Sequence, residues 1–66
     1  MTIITLNTNN AANIANTITA INITGIGYSV EGEKSDLFFI FEDLTDKQKQ
    51  KVIESLNMKN IQYHIE

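Results

Sequence analysis

The chain has 66 residues, a formal net charge of −3, no arginine and no cysteine. That is one domain, whose fold buries roughly 60% of the unfolded surface, so its core needs close packing or a partner. Without cysteine there is no disulfide or thiolate metal site; the charge argues against a phosphate-backbone partner, and no apolar run approaches the ~20 residues of a membrane span.

No basic segment followed by an apolar one opens the chain, so the expected localisation is cytoplasmic. The charge is unevenly placed: residues 1–30 contain no Asp, Glu, Lys, Arg or His. Their polar positions are Asn, Thr and Ser, a neutral surface that is cheaper to desolvate than a charged one. Such a surface suits an interface or a neutral or zwitterionic ligand. The frequency of Asn, Ile and Lys offers a plainer account, codon bias in a low-GC bacterium or one of its phages.

Thr2 to Asn7 alternates around Ile4 and Leu6 and predicts a first strand. Asn9 or Asn10 supplies an N-cap for a helix. Its apolar stripe is Ile14, Ile18 and Ile21, with Ala11 and Ala15 beside it. Ile23, Gly25 and Gly27 mark the exit into a second strand, with Ile26, Tyr28 and Val30 on one face. Gly32, within Glu31 to Ser35, is expected at a hairpin tip. Leu37 to Phe41 is apolar on both faces, the pattern of a central strand buried on both sides.

Thr45, Asp46, Lys47 and Gln48 read as a capping box that opens a second helix. Val52, Ile53 and Leu56 form its expected buried face, Lys47, Lys49 and Lys51 its solvated one, and Asn57 its left-handed C-cap. Ile61, Tyr63 and Ile65 alternate as the last strand. The order β-α-β-β-α-β predicts a ferredoxin-like α+β fold: a four-stranded antiparallel sheet with two helices on one face. The other face would carry either Phe38 and Ile40 or Leu37, Phe39 and Phe41. An apolar aromatic patch there is an interaction site and argues for a homodimer.

With those elements placed, the chain resembles an ACT domain, the amino-acid-binding regulatory module of allosteric enzymes, and in particular the ACT modules of aspartate kinases. The resemblance is carried by Asn9-Asn10-Ala11-Ala12-Asn13-Ile14-Ala15 after the first strand and by the Ala20-Ile21-Asn22-Ile23 turn. Ile26-Gly27-Tyr28-Ser29-Val30 and Asp36-Leu37-Phe38-Phe39 continue it. The chain departs from the family at Ala11-Ala12, where the family has Pro-Gly, and its first helix is about one 3.6-residue turn shorter.

The resemblance implies an amino-acid-like ligand between the first loop (Asn9, Asn10, Ala12) and the Asn22-Ile23 turn. Backbone N–H groups at a helix start attract a carboxylate, and Asn amides both donate and accept. The plainer alternative makes Asn9 or Asn10 a cap and Asn22 a turn residue. Phe38, Ile40 and Tyr28 are the expected interface set.

No residue set predicts catalysis. His64 is the only histidine and lies on a terminal strand, without a cysteine to activate or an evident acid partner. Ser29 has no base. Glu31, Glu33 and Asp36 lack the alternation of a calcium loop. The expectation is therefore no enzyme, no cofactor and no metal. Strand three has the aromatics of an RNA-recognition motif but not its basic and glycine positions, so no nucleic acid is expected either.

Two functions follow. The first is a non-catalytic regulatory module that binds a small ligand and self-associates. The alternative is a small phage-type protein that binds and inhibits a host protein, using the acids Glu31, Glu33, Asp36, Glu42, Asp43 and Asp46 against a basic target.

Overall fold

A computed structural model describes residues 1–8, 10–33 and 35–66. Its elements are β1 (Thr2–Asn7), α1 (Ala11–Ile23), β2 (Ser29–Glu33), β3 (Asp36–Phe41), α2 (Asp46–Met58) and β4 (His64–Ile65). The sheet order is β2-β3-β1-β4, with every neighbouring pair antiparallel. This is the expected α+β arrangement, consistent with a ferredoxin-like fold. Among the described residues, no helix is long and apolar enough to cross a membrane.

Register decides which side of the sheet each residue faces. Ile4 lies opposite Phe39 and Leu6 opposite Leu37. Ile4, Leu6, Phe39 and Phe41 are buried together with Ala20 and Ile21 of α1 and Val52 and Leu56 of α2. Period-two alternation then sends Ile3, Thr5, Phe38 and Ile40 to the opposite face. That settles which of the two β3 sets points away from the helices. Phe38 and Ile40 are only half-buried, so β3 is central in the sheet yet covered on one side alone.

Helix α1 starts because the Asn10 side chain accepts from the Ala12 and Asn13 N–H groups at 2.9 and 3.3 Å. Its core-facing residues are Thr17, Ala20 and Ile21, with Ile14 and Ile18 half-buried. The expected flank of Ala11 and Ala15 is exposed instead. Thr17 can be fully buried because its hydroxyl donates to the Asn13 carbonyl at 2.7 Å, leaving no polar atom unpaired. Small Ala20 lets α2 approach closely enough for the Ser55 hydroxyl to donate to the Ala20 carbonyl at 2.7 Å. Helix α1 closes on Thr24, and Gly25 follows at φ +72°, a backbone conformation that favours glycine.

Helix α2 carries the full capping box: Gln48 N–H to Thr45 Oγ1 at 3.1 Å and Thr45 N–H to Gln48 Oε1 at 3.0 Å. Val52 and Leu56 are buried and Ile53 half-buried. The left-handed residue that ends α2 is Asn60 (φ 55°), not Asn57, which stays in the last helical turn. Ile61 N–H bonds the Leu56 carbonyl and Asn60 N–H bonds the Asn57 carbonyl, the paired bonds of a Schellman motif. The helix runs three residues further than Asn57 suggests because Ile61 must reach the core over Leu56.

Three other expectations are corrected. Gly32 is no hairpin tip: it sits inside β2 opposite Leu37, where a Cβ would lie 3.3 Å from a Leu37 methyl. The last described pair of the β2–β3 ladder is Glu33 with Asp36, and Lys34 lies outside the described residues. Val30 shares a strand face with buried Phe39 but stays 47% exposed, because β2 is an edge strand beyond the reach of the helices. Tyr28 precedes β2 and stacks on the core side, its ring 5.8 Å from both Phe39 and Phe41. It therefore belongs to the helix-side packing, away from Phe38 and Ile40. The last strand is shorter than its alternation implies, yet Ile61, Tyr63 and Ile65 all pack against the core.

Candidate ligand cleft and sheet face

The ligand residues expected from the sequence do not come together within one chain. Asn10 and Ala12 stand at the start of α1 and Asn22 and Ile23 at its end. Twelve residues at 1.5 Å each separate Asn10 from Asn22 by roughly 18 Å. Asn9 lies outside the described residues.

Each of these residues has a local structural role. The Asn10 amide oxygen already serves two N–H groups of the first turn, so an anion there would have to displace it. Ala12 is exposed and contributes its N–H to that cap. The Asn22 Oδ1 accepts from the Tyr28 hydroxyl at 2.8 Å, tying the end of α1 to the segment that enters β2. Ile23 is 70% exposed and borders a shallow groove of about 250 Å³ with Lys51, Glu54 and Met58.

A more coherent site lies at the other end of α1. Leu6, Asn7, Thr8, Asn13, Asn60, Ile61 and Gln62 line a cleft of about 300 Å³. Three segments build it: the end of β1, the first turn of α1 and the chain leaving α2. The Schellman turn at Asn60 swings Asn60 and Gln62 beside β1, while the Asn10 cap fixes the turn that presents Asn13. No lining residue is charged, and four of them carry side-chain carboxamides. The Asn7 carboxamide is the exception: it donates to Asp36 on the open sheet face, so Asn13, Asn60 and Gln62 supply the amides of the cleft. Such a lining can donate and accept at several points without imposing a net charge, and it holds the volume of about ten waters.

Asn10, Ala12, Asn22 and Ile23 do not line this cleft, and the sequence did not single out Asn7, Asn13, Asn60 or Gln62 as ligand residues. Asparagine is so frequent in this chain that no short pattern marks these positions. The only local signal is Asn60 itself, as the residue able to take a left-handed turn.

The chain matches no family model, no curated protein and no solved structure.

The second surface is the sheet face opposite the helices. Aligned rows cross it: Ser29, Ile40, Ile3 and Glu66 in one, Glu31, Phe38, Thr5 and His64 in the next, then Glu33, Asp36 and Asn7. Half-buried Ile3, Phe38 and Ile40 form its centre, with carboxylates towards both edges. His64 is 74% exposed at the side chain and lies 3.8 Å from Glu66. Among the described residues, no group of three His, Cys, Asp or Glu side chains could hold a metal ion. The described lysines, Lys47, Lys49, Lys51 and Lys59, all lie on α2 or its C-cap, in the other layer.

Proposed function

We propose that this chain is a non-catalytic, ACT-like regulatory module that holds a small amino-acid-like ligand in the amide-lined cleft and works as a homodimer. The observation that carries the reading is a cleft with no charged lining residue, to which α1 contributes Asn13 and the chain leaving α2 contributes Asn60 and Gln62. At about 300 Å³ it stands at the lower end of small-molecule sites, as a ligand of amino-acid size requires. A zwitterion suits such a lining, because amides satisfy both of its charged groups by hydrogen bonding.

The test is a thermal-shift scan with single amino acids at millimolar concentration, followed by calorimetric titration. A ligand at 100 times its Kd stabilises the fold by about 2.7 kcal/mol, a shift of roughly 10 °C or more in a domain this small. Asn13→Leu and Gln62→Leu should abolish the shift while Asn22→Leu leaves it. Loss with Asn22→Leu alone would put the ligand at the wrong end of α1.

One observation favours a second reading, a protein that binds and inhibits another protein. Glu31, Glu33, Asp36 and Glu66 gather on the sheet face, whereas the described lysines lie in the helical layer. A basic target would match that face. A flat response across the amino-acid panel would favour this reading over the cleft.

A further inference from the structure

We infer that the open sheet face seats a second copy of this chain, face to face, about a two-fold axis that runs parallel to the strands between β1 and β3. The inference rests on the self-association part of the proposed function and is independent of any ligand.

The argument comes from the rows. A two-fold axis in the plane of the interface keeps one in-plane direction and reverses the other. If it runs along the strands, every residue stays at its own level while β3 trades places with β1 and β2 with β4. Ile40 then lies across from Ile3 of the other copy, and Phe38 across from Thr5. Glu31 comes across from His64, which sits in the same row at the opposite edge of the sheet. Glu66 meets Ser29, and Asp36 meets Asn7. Each of these carboxylates faces a hydroxyl, an amide or an imidazole, and the apolar centres overlap.

Other self-pairings lack this complementarity. An in-plane axis across the strands places each strand over its own copy: along the Glu31 row it sets Glu31 against Glu31 and His64 against His64, and midway to the Ser29 row it sets Glu31 against Ser29, so neither position brings Glu31 to His64. Edge pairing of two β2 strands, centred on the same residue, again sets Glu31 against Glu31, and β4 offers only two residues. The strand-parallel face-to-face arrangement is the one that buries Phe38 and Ile40 while setting Glu31 of one copy against His64 of the other.

Size sets the strength. Three strands of at least five residues and the two-residue β4, about 4.8 Å apart, give a footprint of at most roughly 19 by 17 Å. Even with side-chain relief, this falls below the ~800 Å² per partner of a standard interface, so the dimer is a weak one.

The test is sedimentation equilibrium of the whole chain, from micromolar to millimolar concentration. The expected mass climbs from the 7.4 kDa monomer towards twice that value. Phe38→Lys should keep the chain monomeric, with circular dichroism confirming the fold. The deciding variants are exposed and leave the core alone: Glu31→Lys and His64→Glu. His64→Glu sets a carboxylate against Glu31 and Glu31→Lys removes the acceptor that faces the imidazole; each should weaken association at least about fivefold, while the double variant, which pairs Lys with Glu, should recover most of the loss.

Within one chain Phe38 and Thr5 separate these two side chains, so recovery requires a second copy. A chain that stays monomeric at millimolar concentration would overturn the inference, leaving the acidic face to a basic partner. So would a dimer indifferent to Phe38→Lys, or charge variants whose effects simply add. Amino-acid titration of the same samples tests the cleft separately.

Discussion

Removing the Tyr28 hydroxyl probes whether Asn22 is structural, as the fold places it, or a ligand group, as the sequence resemblance implies. The hydroxyl donates to Asn22 Oδ1 at 2.8 Å, in an exposed setting. Tyr28→Phe keeps the ring against Phe39 and Phe41 and deletes only this bond. A net contribution of about 0.5–1 kcal/mol is expected, the lower part of the usual range because water competes for both groups. Unfolding entropy scales as about 2.1 cal/mol/K per residue, so this chain should lose about 4–7 °C in Tm.

Asn22→Ala alone is a poor probe, since alanine is the better helix former and its gain masks the lost bond. A double-mutant cycle cancels that gain. In the Asn22→Ala background, Tyr28→Phe should cost nothing measurable. Thermal unfolding followed by circular dichroism, in buffer free of amino acids, gives all four values. An equal cost of Tyr28→Phe in both backgrounds would refute the coupling and return Asn22 to the list of ligand candidates.

Two further outcomes test the architecture. At the end of α2, Asn60→Gly should raise Tm by a few degrees and Asn60→Ala lower it. Asn57→Gly should lower Tm, because glycine costs roughly 0.5–1 kcal/mol in a helix and Asn57 is helical. A stabilised Asn57→Gly would move the left-handed position back to where the sequence suggests it. In β3, Phe39→Ala should cost about 3–5 kcal/mol, comparable to the whole stability of a domain this size, and urea titration should show no folded baseline. Phe38→Ala, on the half-buried face, should leave a cooperative transition, and equal costs at the two positions would contradict the assigned faces.

The elements whose signals are local were legible from the residues. Thr45 and Gln48 announce the start of α2 because the capping box closes within four residues. Alternation in Thr2–Asn7 and the continuous apolar run Leu37–Phe41 mark two strands, the second observed as Asp36–Phe41. Asn10 caps α1 as one of the two candidates for that role. Misplacements arose where two local solutions were nearly equal. Asn57 and Asn60 are both able to take a left-handed turn, and burial of Ile61 over Leu56 selects the second. Thr17 reads as polar, yet its hydroxyl is satisfied within the helix, so the buried stripe rotates onto it. Glycine at position 32 suggests a turn, but pairing with Leu37 keeps it in the ladder.

The sequence by itself therefore determined the order of strands and helices, the capping box that opens α2, and a chemistry without cysteine or arginine. Propensity, alternation and capping act over a few residues, and no distant partner is needed to read them. Tertiary structure alone decided which face of β3 meets the helices, that Tyr28 belongs to the core side, and that the two expected halves of a ligand site stand at opposite ends of α1. It also brought Asn7, Asn13, Asn60 and Gln62 onto one cleft and placed Glu31 and His64 in one row across the sheet. Those relations join residues far apart in the chain, and they exist only once strand register and helix packing have set the segments against one another.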